Sequence, residues 1–108
     1  MHWILLSFAI VTEVIGTLAL KISDGFTVLV PSTVVVVGYG VSIWLLALSL
    51  KSLDVGTAYA IWAGAGTALI SIAGVFLFKE PVTVIKTISV AFIILGVIGL
   101  HLAEGKSV

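Results

Sequence analysis

Four runs of about 20 apolar residues, separated by short charged clusters, occupy nearly all of this 108-residue chain, and each is long enough to cross a bilayer as a helix. The ten charged residues sort into Lys21 with Asp24, Lys51 with Asp54, the stretch Lys79 to Lys86, and Glu104 with Lys106; only Glu13 stands apart. At about 1.5 Å rise per residue, the intervals between clusters match a hydrocarbon core of roughly 30 Å. They predict helices over approximately 2–21, 29–50, 55–78 and 84–103, forming one four-helix transmembrane domain over residues 1–108. A membrane barrel is excluded, because its strands alternate in polarity and these runs are apolar throughout. Composition agrees: 61% of residues are hydrophobic and 9% charged, where soluble domains carry about 25% charged residues. The expected fold class is therefore an all-α membrane protein.

The first run is not read as a cleaved signal peptide, because Glu13 interrupts its middle and no basic region precedes it. Pro31-Ser32 and Glu80-Pro81 mark helix entries, where proline is tolerated. The loops leave no room for an extramembrane domain, so the activity is placed within the bilayer. Lysines set membrane orientation, and here they nearly balance. Lys51, Lys106 and the terminal amine fall on one side; Lys21, Lys79 and Lys86 fall on the other. Either folding fixes one orientation, or copies insert both ways up and pair as an antiparallel dimer.

Trp3, Leu6, Ile10, Glu13, Thr17 and Leu20 follow a three-four spacing and form one helical stripe, with Ala9 and Gly16 beside it. A carboxyl group at mid-membrane costs on the order of 2.5–3.5 kcal/mol, so such residues face a bundle interior or a watery cavity. Desolvation disfavours the ionised form. Glu13 therefore gains by taking a proton or by pairing with an organic cation. The competing reading is a packing glutamate, kept protonated and hydrogen-bonded to a neighbouring Thr or Ser.

In the third run, TAYAIWAGAG, Tyr59 and Trp62 share a face and offer π surfaces to delocalised or quaternary cations, although aromatic rings are also ordinary membrane filling. Gly64 and Gly66 permit close helix approach and a bend. In the second run Tyr39 and Ser42 present hydroxyls that are expected to turn toward Glu13. In the fourth, Ser89 and Gly96 are seven apart and read as a packing surface. His2 and His101 lie near membrane ends, so no metal site is expected. With no Cys and zero net charge, the chain has no disulfide or thiolate chemistry and no electrostatic footprint for nucleic acid. No catalytic constellation is present, and an enzyme is not expected.

EVIGTLALK at 13–21, SDGFT with Pro31-Ser32, Gly38-Tyr39 with Ser42 and Trp44, and GTAYAIWAGAG at 56–66 together resemble the small multidrug resistance transporters. The resemblance implies a four-helix protomer of the bacterial inner membrane, working as an antiparallel homodimer that exchanges protons for lipophilic cationic or quaternary ammonium compounds. It implies no cofactor beyond the coupling proton, and no partners beyond such cations, membrane lipid and a second copy. Glu13 matches the family's proton- and drug-binding glutamate, and Tyr59 and Trp62 match its aromatic binding residues. Trp3, Tyr39 and Ser42 match pocket positions, to which Ile10 and Thr17 are added from the Glu13 stripe. Gly64 and Gly66 match its helix-three kink, and Gly96 its dimer contact, while Ser89 stands where some relatives have Gly.

Gly16 and Ala63-Gly64 resemble the multidrug branch, where guanidinium exporters tend to carry Trp and Thr-Gly. The competing expectations are a guanidinium exporter, a passive ion pathway, and a heterodimer subunit that is inactive alone.

Overall fold

The computed structural model describes residues 2–104, so Lys106 and the terminal amine, which enter the lysine balance, lie outside the described residues. Four helices follow one another: α1 (His2–Ile22), α2 (Leu29–Ser49), α3 (Val55–Phe78) and α4 (Val84–Glu104). Their ends lie within one residue of the limits set by the charge clusters. All four are long and apolar enough to cross a membrane, and no strand occurs among the described residues. The protein is an all-α, multi-pass membrane protein. Its helices gather into two compact units, Met1–Leu53 and Asp54–Val108, each built on a helical hairpin.

In the first unit, α1 buries Leu6, Ala9, Ile10, Gly16 and Ala19, the side predicted from the spacing around Glu13. Small residues bring the helices together. A Cβ built on Gly38 would lie 3.0 Å from the Thr12 carbonyl oxygen and 3.3 Å from the Gly16 Cα, which is backbone-to-backbone contact. A Cβ on Gly16 would lie 2.8 Å from the Tyr39 ring. Two glycines facing each other thus let α2 lie on α1 and bring the Tyr39 ring against Gly16.

The turn between these helices has Asp24, Gly25 and Phe26 at φ of 50°, 69° and 66°. Left-handed backbone costs a non-glycine residue roughly 1–2 kcal/mol, so Asp24 and Phe26 need support. Ser23 supplies it. This fully buried side chain donates to the Leu20 carbonyl at 2.7 Å and accepts from the Phe26 amide at 3.1 Å, while its own carbonyl accepts the Thr27 amide at 2.9 Å. Pro31 sits in the first turn of α2, where its missing N–H costs nothing.

In the second unit, α3 runs unbroken through Gly64 and Gly66. It packs on α4 through apolar groups: a Cβ at Gly64 would lie 2.8 Å from a Val97 methyl and 3.5 Å from an Ile93 methyl. The helix ends at Lys79, whose left-handed φ of 53° turns the chain so that the Glu80 carboxylate folds back over Gly74. Pro81 lies three residues before α4, whose entry is capped by Thr83: its hydroxyl accepts the Lys86 amide at 3.0 Å. No described residue of α4 is buried.

Candidate functional site

The first hairpin builds a polar cluster in the middle of a membrane span. Glu13 is half-buried on α1. One turn later, Thr17 donates its hydroxyl to Glu13 Oε1 at 2.8 Å. The same hydroxyl lies 2.6 Å from the Tyr39 hydroxyl on α2. Thr17 carries a single hydroxyl hydrogen, so while it donates to Glu13, Tyr39 must donate to Thr17. The ionised carboxylate therefore stands at the end of a chain of donors directed at it. When Oε1 itself carries a proton, the carboxyl can donate to Thr17 instead, and the direction of that bond reverses.

The second carboxylate oxygen is the informative atom. Glu13 Oε2 is buried and has no hydrogen-bond partner. A buried acceptor without a partner costs about 1–3 kcal/mol, more when charged, and that cost is removed when a proton or a cation arrives. The packing reading of Glu13 explains Oε1, which Thr17 satisfies. It does not explain Oε2.

The sequence reading turned both Tyr39 and Ser42 toward Glu13. Tyr39 reaches Glu13 through Thr17, and the glycine crossing is what permits it. Ser42 is fully buried and donates to the Ala9 carbonyl of α1 at 2.6 Å, one turn before Glu13. It thus joins the two helices beside the carboxylate. Ile10 is buried on the Glu13 face. Trp3 is half-buried near the start of α1, its ring tilted against His2 with centroids 5.5 Å apart. Trp44 is exposed on α2.

In the second hairpin, Tyr59 and Trp62 are neighbours in space as well as in sequence. Their ring centroids are 5.7 Å apart and tilted by 46°. Tyr59 is exposed and Trp62 half-buried, so two π surfaces lie side by side with one open. Ser89 and Gly96 are both exposed on α4. Space beside the Gly96 Cα is open.

Sequence reasoning missed the role of Gly38, noted only as a flank of Tyr39. It also missed Ser23, and the return of Glu80 over Gly74, since the sequence offers Glu80 only as part of the Glu80-Pro81 helix entry. Gly16 opposite Gly38 is a signal that a helical projection of both runs contains, but only once the two helices are placed face to face.

Residues 1–93 match the family described as Small Multidrug Resistance protein. The chain belongs to the small multidrug resistance family. It is 47% identical over 108 residues to the uncharacterized membrane protein YvaE of Bacillus subtilis (strain 168), covering 100% of this chain and 91% of that one. It is 44% identical over 105 residues to the quaternary ammonium compound-resistance protein QacE of Escherichia coli, covering 97% and 96%. It is also 44% identical over 103 residues to the guanidinium exporter of Escherichia coli (strain K12), covering 95% and 98%. Membership makes the chain a dimeric membrane transporter of small cations, not an enzyme.

Proposed function

We propose that this small multidrug resistance protein exports lipophilic quaternary ammonium cations across the cell membrane in exchange for protons, with Glu13 binding both in turn. The observation that carries this reading is Glu13 Oε2, a buried carboxylate oxygen with no partner, opposite an oxygen already held by Thr17. An anionic group half-satisfied in this way favours whichever positive species can reach it. Proton and cation then exclude each other at one carboxylate, which is the elementary requirement of exchange.

The other site residues have supporting roles. Thr17 and Tyr39 orient the carboxylate, Ser42 and Ile10 shape the surface beside it, and Tyr59, Trp62 and Trp3 supply aromatic faces to the cation. Protomers pair antiparallel through the Ser89 and Gly96 face of α4, consistent with the near-balance of lysines, and Gly64 and Gly66 let α3 bend between states. Alternation between inward-open and outward-open states then converts a proton gradient into export. No cofactor takes part beyond the coupling proton.

The test is binding of an aromatic quaternary ammonium cation to the purified protein across roughly pH 5 to 9, with Glu13→Gln alongside. Protons compete for Glu13, so affinity is expected to rise with pH. Losing one member of a buried charge pair costs 2 kcal/mol or more, so the variant is expected to bind at least about 30-fold more weakly. Binding that ignores both pH and the substitution would return Glu13 to a packing role.

The guanidinium exporter is the second reading, favoured by the equal identity to a protein of that name. Guanidinium binding by a wild type that ignores the quaternary cation would establish it. Gly16 and Ala63-Gly64 favour the quaternary substrate. Proton-driven uptake by vesicles containing only this chain would exclude a subunit that needs a different partner. Proton movement without any dependence on substrate would point to a passive pathway.

A further inference from the structure

Between the carboxyl-terminal half of α3 and the amino-terminal half of α4 runs a groove of about 370 Å³, lined by Ile72, Val75, Phe76, Val90, Ala91 and Ile94 among others. Its lining is predominantly apolar; the Ser71 and Thr87 hydroxyls also line it, and at one end Lys86 brings the groove's only charged side chain. From Lys86 to Ile94, α4 rises about 12 Å, against roughly 15 Å for the hydrocarbon depth of one leaflet. A cleft of this kind begins at the headgroup level with a cation and continues inward with methyl groups.

Its charge is distinctive within the chain. The other paired clusters, Lys21 with Asp24, Lys51 with Asp54 and Glu104 with Lys106, each sum to zero, while Lys79, Glu80 and Lys86 leave one positive charge in excess. The Lys86 ammonium is loosely held, 3.9 Å from Glu80 Oε1 and 3.4 Å from the Pro81 carbonyl. With three donors and two long contacts, it has capacity for a short bond to an anionic oxygen.

A second copy of the chain is the rival occupant, and the helical projection argues against it. At about 100° per residue, the α4 groove residues centre roughly 140° from Ser89 and Gly96, with the Ile93 and Val97 side between the two faces. That intermediate side packs on Gly64 of α3. The face assigned to pairing and the groove thus lie on opposite flanks of the α3 contact.

We infer that this groove seats an acyl chain of an anionic phospholipid whose phosphate is held by Lys86. The inference does not depend on which cation the transporter moves. Glu80 tunes the seat: folded back over Gly74, it places a carboxylate where it competes with the phosphate for the same ammonium.

The test uses the full-length protein in nonionic detergent, incubated with phosphatidylglycerol or with phosphatidylcholine of the same acyl chains. Retained lipid is counted by native mass spectrometry. The wild type is expected to retain phosphatidylglycerol in preference. A juxtamembrane Lys contributes about fivefold to anionic lipid binding, so Lys86→Gln is expected to lower retention by about that factor, while Lys51→Gln leaves it unchanged. Glu80→Gln is expected to raise it. The opposite signs separate a lipid seat from a merely structural ion pair, in which both substitutions act alike. Ala91→Phe, which fills the groove, is expected to lower retention of both lipids. Equal retention of the two lipids by the wild type would overturn the assignment. So would Lys86→Gln binding like wild type, or an Ala91→Phe variant that keeps its lipid and loses its dimer.

Discussion

The two hairpins solve the same packing problem by different means. In the first, α1 and α2 meet backbone to backbone at Gly16 and Gly38, and hydroxyls cross between the helices: Ser42 to the Ala9 carbonyl, Tyr39 to Thr17 and through it to Glu13. In the second, α3 and α4 meet through Val97 and Ile93 methyl groups at Gly64, and α4 buries none of its described residues. Apolar surface gains nothing from facing another helix rather than lipid tails, so close backbone approach and hydrogen bonds are what fix one helix on another in a membrane. The hairpin with both holds a carboxylate in a set geometry. The second hairpin, whose helices meet at Gly64 through side-chain methyl groups, leaves the described residues of its last helix unburied, open to lipid and to a partner protomer.

The largest expected effect comes from breaking the backbone contact. Gly38→Val would place a branched side chain where the Cβ alone already meets a carbonyl oxygen at 3.0 Å. That oxygen belongs to a helix and cannot swing aside. Overpacking of this kind costs about 1–3 kcal/mol, and by parting α1 from α2 it also draws Tyr39 away from Thr17. Denaturant-induced loss of helicity in mixed micelles should show the destabilisation, with weakened cation binding in the same sample. A variant as stable as wild type would mean that the glycine crossing does not lock this hairpin.

Tyr39→Phe sharpens the same comparison by leaving the packing and removing one hydroxyl. Interhelical hydrogen bonds in membrane proteins average about 0.6 kcal/mol, so the stability loss should be near that value and well below that of Gly38→Val. Cation binding should keep its pH dependence, because Thr17 still donates to Glu13. A loss as large as that of the glycine variant would show that the hydroxyl chain, not the glycine crossing, holds α2 in place.

The four helices were legible because charges cannot be left in hydrocarbon: every charged residue but Glu13 marks a membrane edge, and Glu13 is conspicuous for breaking that rule. The buried side of α1 was legible too, since Leu6, Ile10 and Gly16 repeat at helical spacing around the carboxylate. Helix partners were another matter. A projection shows that Tyr39 and Ser42 share a face, but not that Ser42 donates to the Ala9 carbonyl while Tyr39 meets Thr17; that depends on how closely two glycines let the backbones approach. The return of Glu80 onto Gly74 was invisible for a local reason. It follows from a left-handed conformation at Lys79, a residue type that gives no sign of adopting one.

The smallest effect is expected where the second hairpin is tightest. In Gly64→Ala the new methyl would lie 2.8 Å from a Val97 methyl and 3.5 Å from one of Ile93. Both neighbours are side-chain ends, so rotation of Val97 or a slight separation of α4 relieves the contact. Alanine also favours the helix over glycine by about 0.8–1.0 kcal/mol, which offsets most of the crowding. Stability should therefore stay within about 0.5 kcal/mol of wild type, in contrast to the glycine of the first hairpin, whose neighbours are backbone atoms. Measured on the same denaturation curve, a loss equal to that of Gly38→Val would mean that the α3 and α4 backbones are also held in fixed register. The distinction between a locked hairpin and an adaptable one would then fail.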